Sequence, residues 1–153
     1  MGNIVLIGMP GCGKSTVGVV LAKAMAMDFI DADLVIQRQT GKRLSVLLDE
    51  LGNSGFRALE NSVNAGLQAE NSVIATGGSV VYGREAMEHL RQLGTVVYLH
   101  LSYEQIEERL GDLHARGVTI KPGWTLRDLY NERCPLYAQW AHLTVPCDGL
   151  RLR

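Results

Sequence analysis

No stretch of this chain is apolar for the roughly 18 residues that a membrane-spanning helix needs, so a bilayer protein is not expected. Positive charge is not in excess: 15 Lys and Arg stand against 16 Asp and Glu, a net charge of −1. That removes the basic footprint of a nucleic-acid binder, and any functional cation has to act locally. Cysteine is scarce. Cys12, Cys134 and Cys147 are an odd, scattered set with neither a disulfide framework nor metal spacing, which suits a reducing cytoplasm. The opening residues run directly into Asn3-Ile4-Val5-Leu6-Ile7-Gly8 without the basic and small-residue flanks of a secretory leader. Internal repeats, low-complexity tracts and linkers are also missing.

What is present is the composition of one ordinary globular domain: 153 residues, 46% hydrophobic and 20% charged. Apolar runs at 3–7, 29–30, 72–76, 95–101 and 143–146 read as strands. Between them lie helical stretches at about 14–27, 34–39, 44–51, 55–70, 84–92, 103–110 and 125–141. The first helix is expected to bury Val17, Val20, Leu21 and Ala24, and the fourth Phe56, Leu59, Val63 and Leu67. Residues 111–123 hold four breakers, Gly111, Gly117, Pro122 and Gly123, and read as a loop. Strands alternating with helices require crossovers and a parallel sheet covered on both faces, an α/β/α arrangement.

The strongest signal is Gly8-Met9-Pro10-Gly11-Cys12-Gly13-Lys14-Ser15, which leaves the first strand and opens the first helix. Its spacing is that of a phosphate-binding loop. Glycines let backbone N–H groups turn inward around phosphate oxygens, and the helix N-terminus favours the same anion. Gly11, Cys12, Gly13, Lys14, Ser15 and Thr16 are therefore expected to hold a nucleotide. Lys14 bridges its β- and γ-phosphates, and Ser15 is a ligand of Mg²⁺. In Cys12 a small filler side chain suffices, with no reactive thiol required.

Asp31 and Asp33 stand two apart at the carboxyl end of the second strand, where open α/β sheets bind ligands. Alternation would send one toward a metal and the other toward an acceptor hydroxyl; as a plain helix cap the pair would need neither. Gly77-Gly78 ends the third strand and leaves space for a ligand near the backbone, or is an ordinary turn. Arg57 and Glu60, three apart on a helix, can pair, either as a surface bridge or to aim Arg57 at a substrate carboxylate. Arg133 is a second candidate for that clamp. His89, His100, His114 and His142 need no catalytic role, and Trp124 and Trp140 read as packing residues.

Taken in order, these segments resemble the shikimate kinase family. The likeness runs from Ile4 to about Asp148. It rests on Gly8 to Ser15, Phe29-Ile30-Asp31-Ala32-Asp33, Thr40-Gly41-Lys42, Gly55-Phe56-Arg57 with Glu60, Ala75-Thr76-Gly77-Gly78, Val96-Val97-Tyr98-Leu99, and Arg133 with Pro135-Leu136-Tyr137. The resemblance implies an adenylate-kinase-like fold with a five-stranded parallel sheet in one domain spanning 1–153. It also implies an acceptor-binding helical region at about 33–62 and a lid at about 111–123. The implied activity is ATP- and Mg²⁺-dependent phosphorylation of shikimate, a step of aromatic amino-acid biosynthesis. The implied location is the cytoplasm, and a monomer is expected.

Carried over by position, Lys14 and Ser15 keep their roles and Asp31 holds Mg²⁺. Asp33 binds the acceptor hydroxyl and takes its proton. Arg57 and Arg133 bind the carboxylate, and Gly77 and Gly78 touch substrate. Arg109 lies near the base, and Arg116 is the lid cation, with Lys121 as its alternative. Three departures mark the chain. Ser79 replaces a third glycine. Arg116-Gly117-Val118-Thr119 stands where the family has Arg-Pro-Leu-Leu. The chain ends at Arg153, where the family adds a helix near the adenine, so fewer base contacts are expected. The competing readings are a kinase of another hydroxy acid, homoserine or gluconate, a nucleoside or nucleobase kinase, and a nucleotide-binding regulatory module without an acceptor.

Overall fold

The computed structural model describes residues 2–110 and 118–148. Five parallel strands, β1 (Asn3–Ile7), β2 (Asp28–Asp31), β3 (Ser72–Ala75), β4 (Gly94–His100) and β5 (Leu143–Pro146), lie in the order β2-β3-β1-β4-β5. Six helices connect them: α1 (Lys14–Met25), α2 (Ala32–Thr40), α3 (Leu44–Ala65), α4 (Arg84–Leu93), α5 (Tyr103–Arg109) and α6 (Leu126–Trp140). Each crossover lets neighbouring strands run the same way. The connection after β1 passes over β3 to reach β2, and the one after β3 passes over β1 to reach β4. The two connections leave in opposite directions, so a crevice opens between the carboxyl ends of β1 and β3. Thr76 closes its floor: its backbone N–H and its hydroxyl donate to the Leu6 carbonyl at 3.2 and 2.8 Å.

The sheet is buried where helices cover it. Val5, Leu6 and Ile7 of β1, Val73 and Ile74 of β3, and Val96 of β4 pack with Met87 and Leu90 of α4 into the main core. A second, smaller cluster of Ile36, Leu47, Phe56 and Val63 joins α2 to α3, giving the 33–62 region a core of its own. At the edge β5 is exposed throughout, with Leu143 57% accessible.

Three sequence expectations change. Val20 and Ala24 face solvent; α1 instead buries Lys14, Gly18 and Ala22. The reason is Gly18, where a Cβ would fall 2.5 Å from the Phe29 ring, so the helix sits on β2 through its glycine. The two helices expected at 44–51 and 55–70 are both present within α3, separated by a non-helical kink at Gly52 with φ 71° and ψ 176°, but the second stops at Ala65, before Gly66, and not at 70. Its buried face carries the expected Phe56 and Val63 but also Glu60 and Asn64, two polar groups that hydrophobic periodicity does not register.

Candidate active site

The loop between β1 and α1 is shaped by three glycines at positive φ, Gly8 (152°), Gly11 (80°) and Gly13 (97°). At Gly8 the space is also closed: a Cβ would lie 2.8 Å from both Cys12 Sγ and the Leu99 carbonyl. Cys12 is buried and fills the loop, as expected of it. Lys14 lies back along the loop, its Nζ donating to the carbonyls of Gly8 at 2.7 Å and Met9 at 3.0 Å. Thr16 stands on the exposed first turn of α1. Arg109, at the end of α5, flanks the loop, with Nη1 3.8 Å from the Cβ position of Gly13.

Ser15 Oγ donates to Asp31 Oδ2 at 3.3 Å. The other oxygen of Asp31 caps α2, accepting from the N–H groups of Asp33 at 3.0 Å and Leu34 at 3.4 Å. One oxygen of this carboxylate thus makes the helix cap, and the other lies beside the Ser15 hydroxyl. Asp33 diverges from Asp31 as expected, but not by strand alternation: the chain is already helical at Ala32, so Asp33 belongs to the first turn of α2. Burial, then repulsion from Asp31, pushes the Asp33 carboxyl up to about 6, against the pull of Lys14.

A cavity of about 450 Å³ is lined by Gly11, Lys14 and Ser15 together with Asp33, Gly77 and Gly78. Gly77 has to be small. A Cβ there would fall 2.5 Å from Glu60 Oε2 and 2.7 Å from Asp33 Oδ1, so both carboxyls converge on this backbone. At Gly78 a Cβ would meet Pro10 at 2.8 Å and Arg133 Nη1 at 3.0 Å, and Tyr137 Oη donates to its carbonyl at 2.6 Å.

The expected Arg57–Glu60 pair is replaced. Glu60 accepts a hydrogen bond from the Ser79 hydroxyl, on the buried side of α3. Burial pushes its carboxyl up to about 7; the Ser79 bond and the charges of Arg133 and Lys14 oppose that shift, and the charge of Asp33 adds to it. Arg57, one flank further round the helix, lies with its guanidinium carbon 3.8 Å from the centre of the Tyr82 ring, and its Nε donates to Thr119 Oγ1 at 3.5 Å. Arg133 is buried, 5.4 Å from the same ring. Both arginines of the expected clamp are thus brought together, behind the cavity wall rather than on it. Arg43, not anticipated, is on the wall. Lys121 bridges to Glu132 at 3.3 Å and stands 4.4 Å from the Trp124 ring centre. Arg116, expected as the lid cation, lies outside the described residues, as does His114.

Tyr82 and Thr119 were not foreseen. Tyr82 follows Gly77-Gly78-Ser79 in a short 3₁₀ turn, and its hydroxyl donates to Glu132 at 2.5 Å. The only sequence signal for it was its position four residues beyond Gly78 of the candidate Gly77-Gly78 pair.

A family profile described as shikimate kinase matches residues 10–151. The shikimate kinase of Thiobacillus denitrificans is 40% identical over 146 residues, spanning 94% of this chain and 80% of that protein. That of Pseudomonas fluorescens is 40% identical over 151 residues, spanning 97% and 88%. This chain belongs to the shikimate kinase family. The Acinetobacter baumannii shikimate kinase, solved in complex with shikimate, superposes with a TM-score of 0.81 at 32% identity, covering 100% of this chain and 86% of that one. The Aquifex aeolicus shikimate kinase gives 0.82 at 32% identity over 97% and 88%. The α/β fold with five parallel strands is therefore that of shikimate kinases. Ser79, which stands where the family has a glycine, lines the cavity beside Glu60 and donates its hydroxyl to that carboxyl.

Proposed function

We propose that this chain transfers the γ-phosphoryl group of ATP to a hydroxyl of shikimate, giving shikimate 3-phosphate on the route to aromatic amino acids. The observation that supports it most is the single cavity whose wall contains Lys14 and Ser15 together with Asp33 and Gly77. A donor phosphate at the loop and an acceptor hydroxyl at Asp33 would then share one enclosure, as in-line transfer requires.

In this reading Gly11 to Thr16 hold the phosphates, Lys14 leaves the Gly8 and Met9 carbonyls for phosphate oxygens, and Arg109 faces the base side. Ser15 and Asp31 offer a hydroxyl and a carboxylate oxygen side by side, the hard oxygen donors that suit Mg²⁺. The bound ion would neutralise charge on the phosphates. Asp33 orients the acceptor hydroxyl and takes its proton late in the transfer, and its raised proton affinity fits that task. Gly77 and Gly78 let the acceptor ring approach the backbone, while Arg57 and Arg133 bind its carboxylate. We read residues 33–62 as the acceptor-binding region and 111–123 as the lid of one domain, acting as a monomer in the cytoplasm. Among the described residues no helix is long and apolar enough to cross a membrane.

The test is ADP release with shikimate, homoserine, gluconate or no acceptor. Shikimate is expected to give steady turnover and the others little. Turnover on homoserine or gluconate alone would replace the acceptor, and ADP release indifferent to any acceptor would favour a nucleotide-binding module.

A further inference from the structure

Arg133 is 1% exposed; Tyr82 and Tyr137 lie against its guanidinium, and Thr119 occupies its Nη2. Its Nη2 donates to the Thr119 carbonyl at 2.8 Å and to Thr119 Oγ1 at 3.0 Å. Arg57 Nε reaches the same Oγ1 at 3.5 Å. Arg133 Nε is buried without a partner. A guanidinium can grip a carboxylate in a fork through Nε and Nη2 or through Nη1 and Nη2, and both forks use Nη2. Nη2 carries two hydrogens, and both are directed to Thr119. A carboxylate therefore cannot take either fork of Arg133 unless Thr119 gives up at least one bond.

We propose that Thr119 sets acceptor specificity by competing, through its carbonyl and hydroxyl oxygens, with the acceptor's carboxylate for the Arg133 fork. This rests on the reading that the acceptor's carboxylate binds Arg57 and Arg133. The chemistry makes the competition selective. Leaving a buried guanidinium unpartnered is costly, and Thr119 avoids that cost with two neutral acceptors. A carboxylate forms charge-assisted bonds roughly twice as strong as neutral ones, so it displaces Thr119. A neutral polyol or ester offers Arg133 nothing better than Thr119 already does, and is refused. Thr119 and Arg133 both lie next to the cavity wall. Val118, the chain neighbour of Thr119, lines the cavity together with Gly78, and Arg133 Nη1 lies against Gly78. The segment is tethered on its far side by Asn53, whose amide donates to the Ile120 carbonyl at 2.7 Å, and by Lys121 on Glu132.

Calorimetric titration of shikimate into the wild type, Thr119→Val and Thr119→Ser tests this. Valine keeps the shape and the carbonyl but loses the competing hydroxyl. Thr119→Val is expected to bind shikimate about 3- to 10-fold more tightly, the equivalent of one net hydrogen bond. Thr119→Ser should match the wild type, and ATP affinity should stay the same in all three. Equal or weaker shikimate binding by Thr119→Val, in a wild type that does phosphorylate shikimate, overturns the inference while leaving the function standing. A wild type that does not phosphorylate shikimate overturns the function reading and this inference with it. Should Thr119→Val not fold, Trp124 serves as a reporter, because its backbone N–H donates to the Lys121 carbonyl at 3.0 Å and its ring stacks against Lys121 Nζ. In a Trp140→Phe background, shikimate should change Trp124 emission and its methyl ester should not. Unchanged emission with saturating shikimate overturns the proposal.

Discussion

The phosphate and acceptor ends proposed for the site are built differently. At the phosphate end, eight consecutive residues, Gly8 to Ser15, running from the end of β1 into the first turn of α1, supply the loop, the lysine and the hydroxyl, and the essential conformations are backbone ones at Gly8, Gly11 and Gly13. At the acceptor end, Asp33, Glu60, Gly77, Thr119 and Arg133 come from five separated segments, and their contacts are made by side chains reaching across from one segment to another. The first end is local, whereas the second exists only once α2, α3, the end of β3 and α6 have packed. Substitutions should accordingly separate into those that disturb nucleotide, acceptor, or both.

Asp33→Asn should give the largest effect on the acceptor end, a loss of about 10²–10⁴-fold in turnover. ATP binding, measured by calorimetry, should be nearly unchanged. A large loss of ATP affinity in that variant would erase the division between the two ends. Lys14→Met should instead weaken ATP binding and lower turnover together, the latter by about 10²–10³-fold. If only the shikimate KM moved, the loop would not be the phosphate end.

Gly77→Ala sharpens the comparison, because the added methyl would meet the Glu60 and Asp33 carboxyls at 2.5 and 2.7 Å. Its kcat/KM for shikimate should fall by about 10²-fold, with ATP affinity intact. Unimpaired turnover would mean that the two carboxyls move aside freely. The smallest effect concerns stability. Glu60 ionises near 4.5 when unfolded and near 7 in the fold, so the fold holds a proton that the unfolded chain has released. The stability associated with protonated Glu60 is complete below pH 4.5 and is lost as pH rises through 7. Glu60→Gln, which can still accept from Ser79, should therefore gain on the wild type by roughly 1–3 kcal/mol between those limits. Urea unfolding across that range measures it, and a pH-independent difference would remove the burial argument.

The phosphate end was readable because its chemistry is contiguous: a strand, a spaced set of glycines, a lysine and a hydroxyl stand in order along the chain. The aspartate pair was readable as a pair, but its geometry was not. Alternation assumed a strand where a helix had already begun at Ala32. The burying face of α1 was misjudged for a related reason. Hydrophobic periodicity favoured Val20, while the close fit of Gly18 on Phe29 turned the helix the other way. Arg57 and Glu60 had the right spacing to pair, yet each had a different neighbour within reach. Spacing states which contacts are possible, and packing selects among them.

By itself the sequence determined the alternation of strands and helices, the loop that turns backbone N–H groups inward, and the ordered set of segments that marks the family. These follow from local conformation and from residues adjacent in the chain. The tertiary structure alone decided that Ser79 holds Glu60, that Tyr82 carries Arg57, and that Thr119 occupies Arg133. Each joins groups from separate segments, and a polar side chain chooses its partner only when burial has brought the candidates together and removed water as the alternative.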